Sequence, residues 1–213
     1  HSAELATQAT LGTPLKVLEK QGSWYRVQTP DQYIAWLDSG ALLTLEAQNF
    51  EIWNNSPKII FTDVYGLSYE KPSKSAMQVS DLVMGDLLKL LEIGGGFYQV
   101  QYPDGRIAYV AQEQAMPYSK WLPTEQPDSL KLVTTAFKMR GVPYLWGGTS
   151  TKGVDCSGFT KTIYFMNGLV IPRDASQQVH AGEAIDTENG FGQLTPGDLL
   201  FFGKKANDSL PEK

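Results

Sequence analysis

The sequence predicts a multidomain chain in which two small all-β barrels precede an α+β domain. Three observations predict it: an ungapped internal repeat in the first half, a change of hydrophobic period near residue 129, and a lone cysteine framed by glycines where a turn meets a helix. A length of 213 residues with 42% hydrophobic composition is enough for several small units. The net charge of −5 and the absence of any Lys or Arg run argue against a phosphate-binding surface, so nucleic acid is not an expected partner. No stretch reaches the roughly 18 apolar residues of a membrane span. One cysteine allows no internal disulfide, so the compartment cannot be read from pairing. Because the chain opens at His1 without an initiator Met or a signal-peptide pattern, it reads as a processed or cut product.

The repeat sets the first two units. Gly12-Thr-Pro-Leu-Lys-Val-Leu-Glu19 falls on Gly85-Asp-Leu-Leu-Lys-Leu-Leu-Glu92, a displacement of 73 positions, and Trp24-Tyr-Arg-Val-Gln-Thr-Pro-Asp31 falls on Phe97-Tyr-Gln-Val-Gln-Tyr-Pro-Asp104. The match continues through Tyr33-Ile-Ala-Trp36 and Arg106-Ile-Ala-Tyr109. In the first copy, 1–46, short alternating strands are expected over 15–19, 24–28 and 33–37, separated by Gly and Pro-Asp turns. Strands this short must curl into a barrel, with Val17, Tyr25, Val27, Ile34 and Trp36 as candidates for its inside. Residues 47–57 are polar around Trp53 and read as a connector. The second copy, 58–117, opens on Lys58-Ile-Ile-Phe61 and carries a turn-rich insertion over 69–76, expected as a surface loop. A proline-bearing linker, 118–128, ends the barrels, and Ser129 is a candidate cap for the next helix.

From 129 to 213 the pattern changes. Leu132, Val133, Ala136, Phe137 and Arg140 follow helical spacing up to Gly141-Val-Pro143, then Phe159, Ile163 and Met166 do so after Cys156. Leu194-Thr-Pro-Gly-Asp-Leu-Leu-Phe-Phe202 reads as a turn running into a buried strand, so the unit is α+β. Gly147, Gly148 and Gly153 forbid a regular element just before Asp155-Cys156-Ser157-Gly158, which places Cys156 at a helix N-terminus. Unpaired amides and the positive end of the helix dipole there favour a thiolate, the nucleophilic form of the side chain. The competing reading of Cys156 is a small buried hydrophobe.

Tyr144-Leu-Trp-Gly-Gly148, Asp155-Cys-Ser-Gly-Phe159, Pro172-Arg-Asp-Ala-Ser-Gln-Gln178 and Pro196-Gly-Asp-Leu-Leu-Phe-Phe202, in this order, make residues 130–203 resemble an NlpC-type cell-wall cysteine peptidase. The two repeats resemble bacterial SH3-like domains, and the whole arrangement resembles γ-D-glutamyl-L-diamino acid endopeptidases of the YkfC type. This resemblance implies a papain-like fold in the third domain and hydrolysis of the bond between D-Glu and a diamino acid in murein-derived peptides. It implies Cys156 as nucleophile, Tyr144 as a hydroxyl donor to the developing oxyanion, and Asp155 and Ser157 as groups holding the substrate main chain. Asp174 and Ser176 would contact the polar ends of the peptide. Tyr33 and Glu4 would receive the free ammonium of an N-terminal L-Ala against the first barrel. Each has a plainer reading: Tyr144 a packed aromatic, Asp174 an ordinary N-cap, Tyr33 a barrel-wall residue, Glu4 a solvated acid.

A cysteine nucleophile of this class needs an imidazole. Of the two histidines, His1 lies in another unit and His180 follows Cys156 by only 24 positions in a segment read as helical, so neither matches. The third domain is therefore expected to lack its C-terminal strands, and the chain as it stands is expected to be inactive, with a histidine following Lys213 in the gene. No cofactor is expected, and one Cys with two distant His cannot assemble the three or four ligands zinc takes. The expected partner is a murein-derived peptide, possession of SH3-like units makes contact with the wall an expectation as well, and a monomeric, extracytoplasmic bacterial protein is foreseen. The alternative is a non-catalytic wall-binding protein with a decayed peptidase domain. A third reading keeps the thiol chemistry but changes the acyl substrate.

Overall fold

The structure, a computed structural model, describes residues 3–121, 128–188, 190–206 and 209–212. His1 lies outside them. In the first unit β1 (Lys16–Gln21), β2 (Trp24–Gln28) and β3 (Ile34–Asp38) form an antiparallel sheet in the order β1-β2-β3. Tyr25 faces Leu37 and Val27 faces Ala35 across the β2–β3 ladder, and Val27 is buried. Ile34 and Trp36 stand opposite Gln28 and Arg26 on the other face and are 43% exposed, so the expectation that they point inward is off by one residue. A one-residue change in phase moves a whole strand set to the other face. Val17 shares the face of Val27 but lies on the outer strand and stays exposed.

The connector is not structureless. Ala47–Asn55 forms a helix, α1, that buries none of its residues, which is why it left no apolar period to read. Its end is closed by Ser56, whose amide and hydroxyl both donate to the Trp53 carbonyl at 3.2 and 2.7 Å. Lys58 donates to the carbonyls of Trp53, Asn54 and Ser56 and lies 5.5 Å from the centre of the Trp53 ring.

The second unit contains β4 (Lys58–Phe61), β5 (Tyr65–Tyr69), β6 (Gln78–Val83), β7 (Leu87–Gly94), β8 (Phe97–Gln101), β9 (Ile107–Ala111) and β10 (Ala115–Pro117), in the order β10-β4-β7-β8-β9-β5-β6. Its core is Ile59, Phe61, Leu82, Leu88, Tyr98, Val100 and Val110. The repeat is kept to the level of register. Tyr98 faces Val110 and Val100 faces Ala108, as Tyr25 faces Leu37 and Val27 faces Ala35. Even the β-bulge recurs, between Val17 and Glu19 in one copy and between Leu90 and Glu92 in the other. The expected insertion is an exposed turn between β5 and β6.

The linker begins with a short helix, α2 (Tyr118–Trp121), whose Trp121 is buried and donates its indole N–H to the Met166 carbonyl at 2.8 Å. Residues 122–127 lie outside the described residues. The third unit has α3 (Ser129–Lys138), the two-residue strands β11 (Thr149–Ser150) and β12 (Gly153–Val154), α4 (Cys156–Met166), α5 (Ala175–Gln178) and the hairpin β13 (Lys204–Ala206) with β14 (Ser209–Glu212). The cap of α3 is Asp128, whose carboxylate accepts from Leu130 N at 2.8 Å, and Ser129 is its first helical residue. Leu132, Met139, Val154 and Ile163 pack with Met84 of the second unit. The turn over 195–198 forms, but the buried strand expected after it does not. Residues 199–203 are unpaired among the described residues, and Leu200 and Phe202 are 60% and 92% exposed. An apolar run becomes a strand only where a neighbour satisfies its backbone.

One further element ties the units together. The segment 5–11 lies across the third unit and ends on the second. Gln8 and Thr149 exchange three hydrogen bonds of 2.8 to 3.3 Å. Farther on, Leu11 N donates to Asp86 Oδ1 at 2.9 Å and the Leu11 carbonyl accepts from Leu87 N at 2.9 Å.

Candidate active site

Cys156 is the first residue of α4, and its side chain is exposed. The start of that helix is built by Asp155, its N-cap, which is 7% exposed and accepts from Gly158 N at 2.7 Å and from Gly147 N at 3.0 Å. With the third amide of the helix taken by Asp155, those of Cys156 and Ser157 are left without a hydrogen-bond partner among the described residues. The glycines make this turn possible. A Cβ on Gly158 would lie 2.0 Å from the Gly148 carbonyl oxygen, and Gly147, at φ +78°, has the Leu5 carbonyl 1.9 Å from where its Cβ would stand.

Beneath the turn lies a residue that sequence reasoning missed. Arg173, 2% exposed, grips Asp155 with both ends of its fork, Nη1 to Oδ1 at 3.1 Å and Nη2 to Oδ2 at 2.6 Å, and Nη1 also donates to Ser157 Oγ at 2.8 Å. Burial alone would raise the Asp155 carboxyl, but the Arg173 hydrogen bond, the Gly158 amide and the Arg173 charge outweigh it and hold Asp155 below the usual carboxylate range. Gln178, also buried, donates to the carbonyls of Ser157 and Pro172, both at 2.9 Å, so the 172–178 segment is fastened to the helix start. Both residues stand in the Pro-Arg-Asp-Ala-Ser-Gln-Gln motif. Their burial, which gives them their role, has no sequence signature.

The expected site residues converge unevenly. Tyr144 is 66% exposed and reaches the cysteine turn through a parallel backbone bridge to Val154, two residues before Cys156. The side chains of Asp155 and Ser157 are buried and both accept hydrogen bonds from Arg173. Asp174 caps α5, with its amide donating to Gln177 Oε1 at 3.4 Å, and Ser176 is exposed on that helix. Tyr33 comes from the first unit: burial raises its hydroxyl above the ordinary tyrosine value, and the negative charge of Asp174 adds to the rise. Glu4 is exposed, next to the Leu5 whose carbonyl lies on Gly147. His180 is exposed just past α5, and it is the single histidine among the described residues.

Residues 141–210 match the NlpC/P60 family model, residues 1–42 match the bacterial dipeptidyl-peptidase Sh3 domain and residues 69–114 match the bacterial SH3 domain. A crystal structure of an NlpC/P60 family protein from Bacillus cereus superimposes with a TM-score of 0.82 at 30% identity, over 97% of this chain and 68% of that one. The chain belongs to the NlpC/P60 family. It is also 33% identical over 207 residues to a γ-D-glutamyl-L-lysine dipeptidyl-peptidase of Bacillus cereus and 29% identical over 206 residues to one of Bacillus subtilis. Each alignment covers 93% of this chain, which spans 60% and 64% of the length of those two relatives. Two SH3-like all-β units followed by an NlpC/P60 domain is thus the architecture, as the repeat and the motifs predict. Among the described residues of this family member no group of three His, Cys, Asp or Glu is placed to hold a metal, and no helix is long and apolar enough to cross a membrane.

Proposed function

We propose that the protein of which this chain is part is a cysteine endopeptidase that cleaves the γ-D-glutamyl to diamino acid bond of short murein-derived peptides with a free N-terminal L-Ala. The observation that supports it most is the exposed Cys156 on the first turn of α4, where the first two amides are unengaged among the described residues. The thiolate adds to the γ-carbonyl carbon, and those amides with the Tyr144 hydroxyl receive the oxyanion. Collapse breaks the C–N bond, the amine leaves with a proton, and water then hydrolyses the thioester. The proton carrier is an imidazole other than His180, which is exposed just past α5, and is supplied by the rest of the protein. Asp174 and Ser176 line the peptide's polar ends, and Tyr33 with Glu4 meets its ammonium. The protein works outside the cytoplasm as a monomer in contact with the wall.

The test is mass spectrometry of L-Ala-γ-D-Glu-meso-diaminopimelate incubated with the product of the whole gene, its Cys156→Ala form and the 213-residue chain. Free diaminopimelate is expected from the first alone. Release by the Cys156→Ala form removes the cysteine mechanism, release by the 213-residue chain removes the need for a downstream imidazole, and an intact tripeptide throughout favours the wall-binding alternative.

A further inference from the structure

We propose that the ion pair between Asp31 and Lys161 is a latch that holds the first SH3-like unit on the nucleophile's helix, fixing Tyr33 as a wall of the cleft and so setting which peptide ends the site admits. This inference rests on the peptide reading above. Lys161 Nζ lies 2.7 Å from Asp31 Oδ2, with side chains 16% and 2% exposed. The pair therefore joins two units in a largely enclosed place, as an ion pair without hydrogen-bond geometry at Asp31 Oδ2. Asp31 is held for the purpose. The Thr29 hydroxyl donates to its other oxygen, the Thr29 amide donates to the Tyr33 carbonyl at 3.0 Å, and the Gln32 amide donates to the Thr29 carbonyl at 2.9 Å. Gln32 takes the left-handed conformation at φ 65°, which a non-glycine residue keeps only where its surroundings enforce it.

The two ends of the pair are each close to a group of the site. Asp31 is two residues from Tyr33 on one tight turn, and Lys161 sits on the helix whose first residue is Cys156. An open pocket of about 80 Å³ lies beside the pair, lined by Thr29, Pro30, Met84, Lys161 and Phe165, and the hydrogen bonds of Gln8 with Thr149 join the same two units. A latch made of charge makes a specific prediction, since reversing both charges should restore what removing one destroys.

The test uses two readouts. Amide hydrogen exchange at Thr29 and Gln32 is measured in wild type, Asp31→Asn and the double exchange Asp31→Lys with Lys161→Asp. Cleavage of the free and the N-acetylated tripeptide is measured in the whole gene product bearing the same changes. In Asp31→Asn, exchange should rise at least about tenfold and the preference for the free amine should fall by a similar factor, both recovering in the double exchange. If Asp31→Asn does not fold, Lys161→Gln opens the pair from the other side. Unchanged exchange overturns the latch, and so does loosened exchange with the preference intact. If no form cleaves the tripeptide, the peptidase reading fails while hydrogen exchange still decides whether the pair holds the turn.

Discussion

With its side chain almost wholly enclosed and both ends of its fork on Asp155, Arg173 can be removed only by leaving a buried carboxylate unpaired. Arg173→Met is therefore expected to lower unfolding stability by about 3 kcal/mol, read from urea denaturation. The double variant with Asp155→Asn should recover part of that loss, because the unpaired charge is then gone; equal loss in single and double variants would show that the pair is not what matters. Asp155 itself contributes stability above the ordinary carboxylate range, and this is lost as the pH falls through its depressed value. At this scale the sequence disclosed the turn but not its support. Cys156 and Tyr144 are marked by the glycines around them, whereas nothing in the letters distinguishes Arg173, under the Cys156 turn, from Arg140 at a helix end. The resemblance gives Asp155 and Ser157 a substrate role, and nothing in the letters shows that both side chains also hydrogen-bond Arg173.

Among the elements, the N-terminal segment laid across the third unit is the one the sequence did not announce. Residues 5–11 have no period and form no helix or strand. Their order comes from partners far along the chain, Thr149, Gly147 and Asp86. Gly147→Ala should dislodge this segment, since its Cβ would meet the Leu5 carbonyl and its φ of +78° is costly for any other residue. A loss of about 2 kcal/mol or more in thermal unfolding is expected, with faster hydrogen exchange at Gln8; an alanine variant as stable and as protected as wild type would contradict it. The β-elements were the most legible, because the repeat gave two readings of one pattern. Their inner face was misassigned at Ile34 and Trp36 because exposed aromatics imitate a core face when only alternation is counted. α1 escaped notice for the opposite reason, having no core face at all.

Across the whole molecule, the second SH3-like unit is joined to the N-terminal segment by a carboxyl that does not welcome its charge. Asp86 is 3% exposed, and burial pushes it up to about 6 despite the amides of Val83 and Leu11 that it accepts from. The folded state therefore holds a proton that the unfolded state, titrating near 3.8, has released. Stability from this group is full below the unfolded value and falls as pH rises through about 6, an effect on the order of 3 kcal/mol. The stability margin of wild type over Asp86→Asn should widen when the pH is lowered from 7 to 5; a margin independent of pH would rule out the perturbed carboxyl. The order of the units was legible from repeat and motif, but their mutual attachment was not, because contacts such as Asp31 with Lys161 join positions that no local pattern relates.

The three hydrogen bonds between Gln8 and Thr149 also impose an order in time. Contacts between residues 141 positions apart close a very long loop, the kind of closure that slows folding. During synthesis the segment 5–11 is made 141 positions before its partner Thr149 and must wait, unmatched, until both barrels and the glycine turn have followed it. The turn that carries Cys156 is thus seated against residues made well before it, across both barrels.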